Sequence, residues 1–131
     1  MILLLDTHVF LWWDSNHAAL PAEAKALIAD GTNRVLVSAG CVWEIAIKRR
    51  LGKLRFAGSP ASAIAANGFE ELPILPLDAE QASELAWTHA DPFDRLLVAQ
   101  ATRLAATLVT ADEAIRDYGR VALLWAGAKE R

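Results

Sequence analysis

Ile2-Leu3-Leu4-Leu5-Asp6-Thr7-His8 begins with four consecutive aliphatic residues closed by a carboxylate. Strands of a parallel sheet are covered on both faces and read as unbroken apolar runs, so this stretch predicts a central strand ending at Asp6. Thr7 is placed to cap a helix over 8–14. Pro21 opens a second, alanine-rich helix that reaches about Asp30 before the Gly31 break.

The same pattern recurs outward from there. Arg34-Val35-Leu36-Val37-Ser38 is a short β-branched run, and Ser38 is placed to cap a helix continuing through Trp43, Glu44 and Ile47 to Gly52. Gly58-Ser59-Pro60 marks a loop and a new helix start, and residues 72–77, with two prolines, read as an extended edge or connector. Asp78 heads a helix to about Trp87, and Asp91-Pro92 starts a long one to about Ala106. Residues 107–110 form a third strand, 112–118 a short helix ended by Gly119, 121–125 a last strand, and 129–131 a loose tail. Strands separated by helix-length segments require right-handed crossovers. The expected fold class is therefore α/β, a three-layer α/β/α sandwich around a mostly parallel sheet.

A chain of 131 residues, 54% of them apolar, supports one core and has no room for two ordinary domains, so a single domain over 1–131 is expected. Its longest apolar runs fall far short of the roughly 20 residues that cross a bilayer. The N-terminus lacks the basic region and cleavage site of a secretory signal, which makes the cytoplasm the expected compartment. The single cysteine, Cys41, has no partner for an internal disulfide and reads as a small buried hydrophobe. A net charge of −3 is no general attractor for a polyanion, so nucleic-acid binding has to be argued locally.

Ligands of open parallel sheets sit beyond the carboxyl ends of the strands, where Asp6 and the Thr110-Ala111-Asp112 turn fall. Glu44 shares a helix face with Cys41 and Ile47 and leans toward apolar neighbours. Asp94 shares its face with Leu97, Ala101 and Leu104, a core stripe. Taken singly, each acid has an ordinary reading: Asp6 a turn residue, Glu44 a partner of Lys48, Asp94 a first-turn dipole acid, Asp112 a cap. Taken together they are a candidate site, because unit charges about 4 Å apart repel by roughly 4 kcal/mol at an effective dielectric near 20. Hard oxygen donors without Cys/His ligand spacing favour Mg²⁺ or Mn²⁺, and a bound water is then a nucleophile.

Four segments carry a resemblance: Leu3-Leu4-Leu5-Asp6-Thr7-His8, Ser38 with Trp43-Glu44-Ile45-Ala46-Ile47-Lys48, Asp91-Pro92-Phe93-Asp94-Arg95, and Val109-Thr110-Ala111-Asp112. In this order and separation they resemble the PIN-domain ribonucleases, specifically VapC-type toxins of type II toxin–antitoxin pairs, over nearly the whole chain. The resemblance implies that Asp6, Glu44, Asp94 and Asp112 are the acidic metal-binding and catalytic positions. Thr7, Ser38 and Thr110 are then hydroxyls that hold waters or carboxylates. It also implies endonucleolytic RNA cleavage, inhibition by a VapB-type antitoxin, and a homodimer that assembles further with that antitoxin.

Lys48, Arg49, Arg50, Lys53 and Arg55 form the one basic cluster, and with Arg95 they are candidates for RNA phosphates; a solvated helix end and an exposed salt bridge are the ordinary alternatives. His8, His17 and His89 share no spacing and read as surface or packing residues. The five tryptophans read mainly as core, with some free to face a partner. Two other functions fit the strand-end aspartate. In an aspartyl-phosphate enzyme Asp6 would be the nucleophile, although a second acid two residues on is missing. A non-catalytic binding module would not need four intact acids.

Overall fold

The computed structural model describes residues 1–128, so the 129–131 tail expected to be loose lies outside the described residues. The opening aliphatic run forms β1 (Ile2–Leu5), with Leu3, Leu4 and Leu5 wholly buried. It is the middle of five parallel strands. On one side lie β2 (Arg34–Ser38) and β3 (Glu70–Leu72); on the other lie β4 (Thr107–Thr110) and β5 (Leu123–Trp125), giving the order β3-β2-β1-β4-β5. The register puts Leu5 opposite both Val37 and Val109, so β1, β2 and β4 end level and Asp6, Ser38 and Thr110 emerge side by side.

Among the described residues seven helices connect the strands. They are α1 (Thr7–Asp14), α2 (Ala22–Ala29), α3 (Ala39–Arg50), α4 (Pro60–Ala66), α5 (Pro76–Glu84), α6 (Pro92–Leu104) and α7 (Glu113–Tyr118). The chain steps toward one edge from β1 to β2 to β3 and toward the other from β3 to β4 to β5. Right-handed crossovers then place α1–α4 on one face and α5–α7 on the other, the three-layer arrangement expected from the sequence. Because the chain leaves β1 in one direction and β4 in the other, a crevice opens between their carboxyl ends.

Local details depart from the sequence reading where capping or proline decides. The cap of α1 is Asp6, whose Oδ1 accepts from the Val9 amide at 2.8 Å, and Thr7 is the first helical residue instead. The extended edge or connector expected over 72–77 is instead a short strand at Glu70–Leu72, so the strand over 107–110 is the fourth and not the third. Pro73 ends β3 and Pro76 opens α5, which leaves Ile74, Leu75 and Leu77 exposed between or beside them. Helix α6 stops at Leu104, two residues short of Ala106, because Ala105 turns left-handed (φ 50°), and its amide closes on Ala101 and Thr102. The last strand begins at Leu123, after the left-handed cap at Gly119 (φ 70°).

Helices α5 and α6 are joined by an ion pair. Asp78, in the first turn of α5 and wholly buried, accepts from Arg103 Nε at 2.6 Å and Nη2 at 3.0 Å, and from the Leu75 amide at 2.9 Å. On the opposite layer Gly40 lets α3 approach α6, since a Cβ there would lie 3.0 Å from Leu96 Cδ2 and 3.3 Å from Ser38 Oγ. Replacing Arg103 by leucine strands a buried carboxylate. Urea unfolding should show a loss of about 3–5 kcal/mol, against under about 1 kcal/mol for an exposed pair such as Arg34–Glu70.

Candidate functional site

The crevice at the carboxyl ends of β1 and β4 is built from Asp6 outward. Asp6 is 5% exposed; besides capping α1, its Oδ2 accepts a short hydrogen bond from Thr110 Oγ1. The same hydroxyl oxygen accepts from the Asp112 amide at 2.9 Å, so Thr110 ties the acid of β1 to the turn after β4. Asp112 caps α7, its Oδ1 accepting from Ala114 at 2.8 Å and Ile115 at 3.4 Å. Burial raises the Asp6 pKa above its ordinary value despite the Thr110 and Val9 donors, and the Asp112 charge adds to the rise.

Glu44 approaches from α3, buried to 8% exposure. Thr7 Oγ1 donates to its Oε1 at 2.5 Å and Lys48 Nζ to its Oε2 at 2.8 Å. Lys48 also lies in the field of Asp91 and Asp94. Ser38 turns its hydroxyl to the Gly40 amide, at 3.0 Å, and caps α3. The thiol of Cys41, pushed up to about 12 mainly by burial, stays protonated beneath Asp6 and Glu44.

Asp94 stands in the first turn of α6, behind the cap made by Asp91, whose Oδ1 accepts from Phe93 at 2.9 Å and from Asp94 itself at 3.1 Å. Its carboxyl is pushed up to about 6 mainly by burial, opposed by a hydrogen bond with His89 and reinforced by Asp91 and Asp112. Asp112 therefore lies within the field of both Asp6 and Asp94.

The charge of Asp112 acts on both Asp6 and Asp94, and Lys48, bonded to Glu44, lies in the field of Asp94, so the four predicted acids are linked as an open cup, not a tight knot. Among the described residues, the group of three or more ligating side chains converging within 4.8 Å is His89, Asp91 and Asp94. His89, assigned a surface or packing role from sequence, is half-buried with Nε2 2.7 Å from Asp94 Oδ2. Its signal was local, a histidine five residues ahead of Asp94 in a loop feeding a proline-started helix. His8 and His17 are exposed, as expected.

The basic residues divide. Arg95 spends all five N–H donors on main-chain carbonyls, those of Ala82, Ser83, Leu85, Trp87 and His89, at 2.8–3.2 Å. It is thus a clamp on the loop before α6 and not a group facing phosphate. Arg49 donates to the carbonyls of Phe56 and Gly58 and pins the loop after α3. Lys48 is the predicted basic residue that reaches the acids. Of the tryptophans, Trp43 is 60% exposed beside Phe93, whereas Trp12, Trp13 and Trp87 pack on the core.

The geometry can now be set against known proteins. The model of the PIN domain matches residues 3–121. The chain belongs to the PIN domain family. Its fold is that of several solved structures at low identity. A VapBC2 complex from Rickettsia felis, bound to a promoter DNA fragment, has a TM-score of 0.68 at 18% identity, covering 95% of this chain and 98% of that one. VapBC-1 from nontypeable Haemophilus influenzae gives 0.63 at 17% over 95% and 98%. A toxin–antitoxin complex from Klebsiella pneumoniae gives 0.64 at 17% over 93% and 95%. No curated protein sequence matches the chain. No helix among the described residues is long and apolar enough to cross a membrane.

Two outcomes follow for this PIN crevice. Thr110→Val keeps the shape but removes a donor to buried Asp6 and an acceptor for the Asp112 amide. It should cost about 1–3 kcal/mol in urea unfolding, with Thr110→Ser close to wild type. Asp94 has a folded-state pKa near 6 against an ordinary value of 3.8, so the folded state binds the extra proton between those values. Without divalent cation its contribution to stability must fall as pH rises from about 4 to about 6. Thermal melts across pH 4–7 should show Asp94→Asn flattening that decline and melting higher than wild type at pH 7; a wild-type midpoint rising through the window and unaffected by the substitution contradicts this.

Proposed function

We propose that this chain, as one PIN-type domain over 1–131, is the toxin of a type II toxin–antitoxin pair, a Mg²⁺- or Mn²⁺-dependent endoribonuclease of the cytoplasm. The observation that carries the proposal is the set of carboxylates at the β1/β4 switch point, where Asp6 and Asp94 are both raised in pKa, first by burial and then by the charge of Asp112. Against them the crevice sets Lys48, already bonded to Glu44. Such a donor set, all oxygen and short of positive charge, fits a hard divalent cation and not zinc or a thiolate-loving metal.

In this reading Asp6 and Asp94 hold the cation, and Glu44 and Asp112 complete the cup or take a proton from the attacking water. When bound, the cation supplies Lewis acidity toward water and a phosphodiester oxygen. Thr110 and Thr7 keep Asp6 and Glu44 in place through hydroxyl donors. Lys48 is the residue best placed for the RNA backbone, and its neighbours Arg50, Lys53 and Arg55 extend that charge. The antitoxin and homodimer surfaces are supported by exposed apolar side chains, Trp43 at 60% and Leu51 at 62% among them. That solved structures with this fold are complexes named VapBC or toxin–antitoxin supports the same partner class here.

The test is RNA cleavage by purified protein with and without Mg²⁺, with the cut ends sequenced. Asp6→Asn should lower the metal-dependent rate by at least about 100-fold while the protein stays folded, since losing a ligand costs at least as much as losing a residue behind one. Full cleavage by Asp6→Asn defeats the assignment, and cleavage that persists in chelator defeats the metal-dependent reaction.

A further inference from the structure

We propose that His89 is a positioning residue for Asp94: its ring holds carboxylate oxygen Oδ2 and so leaves Oδ1 as the oxygen that meets the cation. This rests on the reading of Asp94 as a metal ligand. It adds a residue outside the acidic set and a reason for the shape of the loop before α6.

The loop is built around that contact. The Arg95 guanidinium gathers five carbonyls from Ala82 to His89, and one of them, at 3.0 Å from Nη1, belongs to His89 itself. The His89 ring packs on Trp87, centroids 4.8 Å apart, and Trp87 in turn packs on Tyr118 of α7, also at 4.8 Å. Backbone and ring are both held, so Nε2 is delivered to Asp94 Oδ2 at 2.7 Å.

That separation is a charge-assisted hydrogen bond, shorter than neighbouring ligand atoms take around a shared cation. Asp91 Oδ1 is already committed to the amides of Phe93 and Asp94. The three side chains therefore read as a support for Asp94 and not as a metal site of their own. A group hydrogen-bonded to a ligating carboxylate fixes its orientation, and losing such a group weakens metal binding about 10–100-fold.

Mn²⁺ calorimetry on wild type, His89→Ala, His89→Gln, Asp94→Asn and the double variant His89→Ala/Asp94→Asn tests this, with melting curves as a control for folding. The expected results are a 10–100-fold weaker Kd for His89→Ala and recovery to within a few-fold by His89→Gln, whose amide can still donate. In the Asp94→Asn background His89→Ala should add less than about twofold. Wild-type affinity in a folded His89→Ala overturns the proposal while leaving the proposed nuclease site standing. So does a glutamine variant as impaired as the alanine, which would make the imidazole itself a ligand. A folded wild type that takes up no Mn²⁺ overturns the acidic site and this role together, and the absence of any Mn²⁺ heat from wild type distinguishes that failure.

Discussion

Everything at the working end of this protein follows from forcing carboxylates into a crevice where they repel one another and are poorly hydrated. Burial is the largest cause of the raised pKa of Asp6 and of Asp94, and the charge of Asp112 adds to both. The fold answers with fixed donors. Asp6 receives the Val9 amide and the Thr110 hydroxyl, Glu44 the Thr7 hydroxyl and Lys48, and Asp94 the ring of His89. These bonds restrain the acids, and burial nonetheless leaves Asp6 and Asp94 with raised pKa values. Carboxylates held in place at a cost that a cation would offset are what the proposed metal site requires.

The scaffold explains why the strain sits where it does. With β1 and β4 adjacent and their chains departing in opposite directions, their carboxyl ends form the switch point of the sheet. Two supports outside the crevice keep its rim in shape. The Asp78–Arg103 pair ties α5 to α6, and the Arg95 clamp holds the intervening loop by its main chain. Arg95 therefore serves the site at one remove, fixing the segment that presents His89. These supports and the buried aliphatic strands stabilise the fold, whereas the burial of ionised Asp94 opposes folding at neutral pH.

Most of the architecture could be read from local chemistry. Strand β1 is an unbroken apolar run, β2 and β4 are short β-branched ones, and each helix start at Ser38, Ser59, Asp91 and Asp112 carries its own side-chain cap. Asp6, Asp94 and Asp112 were legible because strand ends and first helical turns converge on one edge of a parallel sheet. What stayed hidden depends on contacts distant in space. Nothing in residues 82–89 reveals that a guanidinium will gather their carbonyls, so Arg95 reads as a surface cation and His89 as a bystander. The edge around β3 was blurred because Ile74, Leu75 and Leu77 look like strand residues, yet two prolines deny them a ladder. The end of α6 was hidden because an alanine, not a glycine, takes the left-handed turn.

In the proposed function the cup around Asp6, Asp94 and Asp112 holds divalent metal. Crystals of the protein soaked in Mn²⁺ and measured near the manganese absorption edge test it most directly. The account predicts an anomalous peak in the crevice within about 2.3 Å of carboxylate oxygens of both Asp6 and Asp94. A peak bound elsewhere on the surface, or a crevice left without one at saturating Mn²⁺, would contradict it.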